Sequence, residues 1–134
     1  MNMGKGLQTP SSTARADKAI MKYISTRGKA PKLSFEDAVI AGLASDGGLY
    51  VPEIIPTFTQ AEIADMAGLR YHELMFKIIH PFIGDEIPEK ILKNLIGESY
   101  LEFRHKAIAP LKQIDNQEFV LELFHGPTMA FKDF

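Results

Sequence analysis

From about residue 21 onward the apolar positions fall into short rhythms; before it there is none. Residues 1–20 are rich in Ser, Thr, Gly and Lys, which predicts a disordered tail or a non-native extension. Tyr23-Ile24-Ser25-Thr26 reads as a short strand ended by Arg27-Gly28. Ser34 then opens a helix as its N-cap, with Asp37 completing a capping box and Phe35, Ala38, Val39, Gly42 and Leu43 on one apolar face. Asp46-Gly47-Gly48 is expected to stop that helix, and Leu49-Tyr50-Val51-Pro52 to run extended.

Thr59 and Glu62 form a second capping box for a short helix through about Met66. Tyr71, Leu74, Met75, Ile78, Ile79 and Phe82 mark a third helix, which Pro81 ends or bends. Pro88 suits the first turn of a fourth, whose stripe is Ile91, Leu92, Leu95, Ile96, Tyr100 and Phe103. Beyond Phe103 the rhythm changes. Ala107 to Leu111 reads as a short strand, Asp115-Asn116 as a turn, and Phe119 to Phe124 as a strand buried on at least one face. The expected organisation is α/β: a small, mostly helical N-terminal domain over residues 21–105, then the start of an α/β domain over residues 106–134.

Composition narrows the function more by exclusion than by suggestion. The formal net charge is −2, so no strong basic surface invites nucleic acid or anionic lipid. There is no cysteine, hence no disulfide, thiolate metal site or cysteine nucleophile. No apolar run reaches the ~20 residues of a membrane-spanning helix, and a cytoplasmic location is expected. His72, His80 and His105 are scattered without a second ligand at metal spacing, so no metal site is expected.

The chemistry concentrates in the last residues. The apolar strand through Phe124 runs into His125-Gly126-Pro127, which forces a turn, and Lys132 follows five residues after Pro127. Open α/β sheets bind ligands beyond the C-terminal ends of their strands, which puts Lys132 at the mouth of a site. Phe131 and Phe134 flank it with apolar surface, and burial there would favour the neutral, nucleophilic amine. The Lys132-Asp133 pair also suits an ordinary solvated ion pair. Phe134 ends the chain directly after this loop, so a piece of a longer protein is expected.

His125-Gly126-Pro127-Thr128-Met129-Ala130-Phe131-Lys132-Asp133 resembles the segment of threonine synthases that carries the lysine for pyridoxal 5′-phosphate (PLP). The family's usual form is HGPT, one variable residue, then AFKD; Met129 occupies the variable position. Tyr23 to Gly28 resembles the family's opening strand, and Ser34 to Ala38 with Asp46 to Pro52 resembles its first helix and the following turn. The resemblance implies a tryptophan-synthase-β-like PLP fold and conversion of O-phospho-L-homoserine and water into L-threonine and phosphate. It implies that Lys132 is both the catalytic and the cofactor-binding residue. His125 and Thr128 can contact substrate, cofactor or loop backbone, Asp133 can pair with a cation or cap the next helix, and Arg27 can attract an anionic substrate group. The groups that hold the cofactor phosphate are expected beyond residue 134, in the rest of the same enzyme, and the isolated chain is expected to be inactive. The alternatives are a threonine-synthase-like PLP phospho-lyase and a non-catalytic interaction module.

Overall fold

A computed structural model describes residues 21–134; the expected N-terminal tail lies outside the described residues. Strand β1 (Tyr23–Ser25) pairs antiparallel with β2 (Tyr50–Pro52), Ile24 opposite Val51. Helix α1 (Phe35–Ala41) lies between them in sequence. Helices α2 (Gln60–Asp65), α3 (Tyr71–Ile83) and α4 (Glu89–Ser99) follow. A hairpin of β3 (Leu111–Gln113) and β4 (Phe119–Leu121) then leads to a 3₁₀ turn at Phe131–Asp133.

The core is the seam between α3 and α4. Ile83, Leu92 and Ile96 are buried there, with Phe35, Met75, Phe76, Ile79, Ile87 and Tyr100 packed around them. Leu92 and Ile96 are four residues apart and share one helical face, as the stripe predicts. Ile91 and Leu95, one residue away from them, are about half exposed, so the buried stripe is narrower than expected. The Tyr23 hydroxyl donates to the Phe82 carbonyl at 2.8 Å and ties β1 to the end of α3.

Capping follows the sequence in one helix and departs from it in another. In α2, Thr59 Oγ1 accepts from the Glu62 N–H (3.2 Å) and Glu62 Oε2 accepts from the Thr59 N–H (2.7 Å), the expected reciprocal box. In α1, Ser34 Oγ accepts from the Asp37 N–H (3.1 Å), but Asp37 does not complete a box. Glu86 supplies the missing acceptors instead, taking the N–H groups of Phe35 (3.1 Å) and Glu36 (3.0 Å) from 50 residues away. That contact was illegible in a local pattern. At α3, Glu73 folds back onto the Arg70 N–H (3.0 Å), a cap the apolar rhythm also leaves unmarked.

Three expectations need correction. Helix α1 stops at Gly42, whose φ of 67° ends the helical path, rather than at Asp46-Gly47-Gly48. The expected strand at Ala107–Leu111 starts only at Leu111, because the chain first turns at Ile108 (φ 60°). Strand β4 ends at Leu121 and is exposed along its whole length rather than buried on one face. Among the described residues β3 and β4 form a two-stranded ribbon, which cannot cover its own faces.

Asp46 instead ties the small sheet together. Its carboxylate accepts from Ser25 Oγ (2.7 Å) and from the N–H groups of Lys29 (2.9 Å), Ala30 (3.0 Å) and Gly48 (3.0 Å). Gly48 lies so close that an added Cβ would stand 2.4 Å from Ser25 Oγ, which excludes any side chain there. These bonds, the Ser25 hydroxyl foremost, hold the Asp46 carboxyl at about 2 against partial desolvation. A depressed carboxyl contributes stability in full above its unfolded value of 3.8 and loses it as pH falls through about 2. Asp46→Asn should therefore flatten the fall of stability across that window in urea unfolding at stepped pH. An undiminished fall would assign the acid sensitivity to other groups. In the core, Leu92→Ala should cost roughly 2–5 kcal/mol, read from the urea midpoint at constant slope.

Candidate functional site

The segment leaving β4 is anchored before it turns. The Glu122 N–H donates to the Pro110 carbonyl (3.0 Å), and the Arg104 N–H donates to the His125 carbonyl (2.9 Å). His125 Nε2 lies 2.7 Å from Glu122 Oε2, and both side chains are largely covered. The His125 ring also packs against Phe124 (centroids 4.6 Å apart) and His105 (5.0 Å). His125 is thus held by a carboxylate and two rings; its own contacts explain it as a loop anchor.

Gly126 to Met129 forms a tight turn closed by the Met129 N–H on the Gly126 carbonyl (3.2 Å). Met129 has φ 59°, uncommon for a residue with a Cβ. Arg104 Nη1 donates to Met129 Sδ at 3.4 Å. The 3₁₀ turn then brings Asp133 back over the loop. Its carboxylate accepts from the Thr128 N–H (3.0 Å) and the Thr128 hydroxyl (2.6 Å). The Thr128 hydroxyl is the largest cause holding the Asp133 carboxyl below its ordinary value; the N–H groups of Thr128, Ala130 and Met129 add to it and desolvation opposes. A Cβ on Gly126 would stand 2.4 Å from Asp133 Oδ2, so this closure requires glycine.

Lys132 lies exposed between these groups, and its ammonium makes no hydrogen bond or ion pair among the described residues. The expected apolar burial is absent. Phe131 is 66% exposed, and Phe134 packs edge-on against Phe103 (5.0 Å). In the 3₁₀ turn, at three residues per turn, successive side chains diverge by about 120°. Phe131, Lys132 and Asp133 therefore leave the backbone in three directions. The same divergence removes the Lys132-Asp133 ion pair that the bare sequence allowed, because Asp133 faces Thr128.

The remaining candidates lie elsewhere. Arg27 Nη1 donates to the Asp46 carbonyl (3.0 Å) and belongs to the turn at the small sheet. His80 packs against Phe76 (5.0 Å), and His72 is exposed on the same helix. An open cavity of about 820 Å³ lies beside the loop, with Tyr71, Tyr100, Ile108, Leu121 and Phe134 in its wall; Lys132 is not part of that wall. Sequence reading missed the roles of Arg104 and Glu122. Glu122 interrupts an apolar run three residues before His125, and that spacing was the available signal.

Comparison with known proteins bears on the family of the chain. A family model described as threonine synthase N terminus matches residues 22–100. Threonine synthase from Pseudomonas aeruginosa is 59% identical over 114 residues, covering 85% of this chain and 24% of its own length. The PLP-bound threonine synthase of Brucella melitensis superposes with a TM-score of 0.82 at 54% identity, over 84% of this chain and 24% of that one. Threonine synthase-like 2 from Homo sapiens is 41% identical over 114 residues, covering 84% of this chain and 24% of its own length. The chain spans about a quarter of the length of these relatives. The superposition bears out the expected fold class, α/β with the N-terminal region of a PLP threonine synthase. With well over half of its residues matched by the N-terminal family model, the chain belongs to the threonine synthase family.

Proposed function

We propose that the protein carrying this chain is a threonine synthase, a PLP-dependent carbon–oxygen lyase that makes L-threonine and phosphate from O-phospho-L-homoserine and water, with Lys132 as the cofactor lysine. The observation that carries this is the Lys132 amine, without a hydrogen bond or ion pair among the described residues, on a loop whose backbone is otherwise bonded from both sides. A primary amine without a competing carboxylate fits the aldehyde of PLP. The supporting likeness is 59% identity to a threonine synthase and superposition on a PLP-bound one.

When bound, PLP supplies an electron-withdrawing ring that takes up the charge left as a proton departs beside the substrate nitrogen. Lys132 would hold the cofactor before substrate arrives, and its Nζ would afterwards move protons at the substrate's Cα and Cβ. A flexible four-carbon stem on a fixed backbone suits an amine that must reach both carbons in turn. His125, Glu122 and Arg104 keep the loop entry in place. The groups for the cofactor phosphate and the leaving phosphate belong to the remaining part of the enzyme beyond residue 134. The division near residue 105, between a helical domain and the start of the PLP-binding domain, and a cytoplasmic location are parts of the same proposal.

A threonine-synthase-like phospho-lyase is the second reading, resting on the 41% identity to threonine synthase-like 2; the higher identity to a threonine synthase ranks it second. For the full-length protein with PLP, borohydride reduction and peptide mapping should fix the cofactor on Lys132. Lys132→Ala should lower turnover by roughly 10²–10⁴-fold or more. Reduced cofactor on a different lysine would overturn the assignment. Product analysis separates the two activities: threonine is expected, whereas 2-oxobutyrate with ammonia would establish the lyase.

A further inference from the structure

Every side chain of a 3₁₀ turn takes its direction from the backbone path, so whatever fixes that path also fixes where Lys132 points. Here one side chain, Asp133, ties the end of the turn back to the start of the loop. Both oxygens of Asp133 are used on Thr128, one on its N–H and one on its hydroxyl. The ring of residues 128–133 is thereby pinned at its two ends. It encloses Met129, whose positive φ is a conformation that a residue with a Cβ leaves when unconstrained. Gly126 sits beneath the carboxylate with no room for a side chain, so the closure has a floor as well as a latch.

We infer that Asp133, latched to Thr128 above Gly126, is a positioning residue that sets the direction in which Lys132 presents its amine. This goes beyond the family assignment and rests on the proposal that Lys132 carries the cofactor. Asp133 itself needs no contact with cofactor or substrate. Its effect passes through the backbone of residues 128–132, and Thr128 and Asp133 act as one unit. Opening the latch lets Met129 relax and the lysine stem start from a different place, and small misplacements of a reacting group cost rate more than they cost substrate binding.

The test uses the full-length protein with Asp133→Ala, Thr128→Val, the double variant and Thr128→Ser. In cofactor-free protein, amide hydrogen exchange of residues 128–132 should accelerate by at least about tenfold in Asp133→Ala, with the core of α3 and α4 unchanged. With PLP, kcat per cofactor reducible onto Lys132 should fall about 10- to 100-fold while KM moves less than about threefold. Thr128→Val should fall in the same way, Thr128→Ser should recover most of that loss, and the double variant should be no worse than Asp133→Ala alone. A merely structural residue would lower the amount of folded protein and leave kcat per fixed cofactor intact. That result, or losses that multiply in the double variant, would overturn the inference. If wild-type protein fixed reduced cofactor on another lysine, the parent proposal would fail instead, and the exchange result would still report on the latch.

Discussion

A carboxylate has a limited number of good partners, and the site depends on which partners Asp133 takes. Turned towards its sequence neighbour, it would pair with the Lys132 ammonium and make an ordinary surface ion pair. Turned towards Thr128, it closes the loop and is not available to the Lys132 amine. The 3₁₀ geometry decides between these by sending the two side chains in different directions. Gly126 allows the choice, since any Cβ would collide with the carboxylate. One orientation thus both closes the loop and leaves Lys132 without a carboxylate partner among the described residues.

A second carboxylate plays the corresponding role in the small sheet. Asp46 takes one hydroxyl and three backbone N–H groups and joins the turn after β1 to the turn before β2. Glu86 does similar work across a longer span by accepting from the first turn of α1. The hydrophobic seam of α3 and α4 supplies the bulk of the packing, and these acids set how the loops and the short elements meet it.

Elements with a local code were legible in the sequence. The Thr59–Glu62 box, the Leu92–Ile96 face and the extended stretches at Tyr23 and Tyr50 need only neighbouring residues to specify them. What failed was non-local or conformational. Glu86 reaches α1 from far along the chain, so the Ser34–Asp37 spacing suggested a box that Asp37 does not make. Ile108 and Met129 adopt positive φ although neither is a glycine, and propensity carries no signal for that. The run from Phe119 to Phe124 has the composition of a buried strand, yet its paired portion lies in an exposed ribbon. At the candidate site, the bare sequence did not decide whether Lys132 pairs with Asp133; in the structure Asp133 turns to Thr128 instead.

The most direct measurement is a crystal structure of the full-length protein grown with PLP. The account predicts continuous electron density from Lys132 Nζ to the cofactor, with the Asp133 carboxylate still on the Thr128 N–H and hydroxyl. Density for the cofactor on another residue, with Asp133 turned onto a charged Lys132, would contradict it.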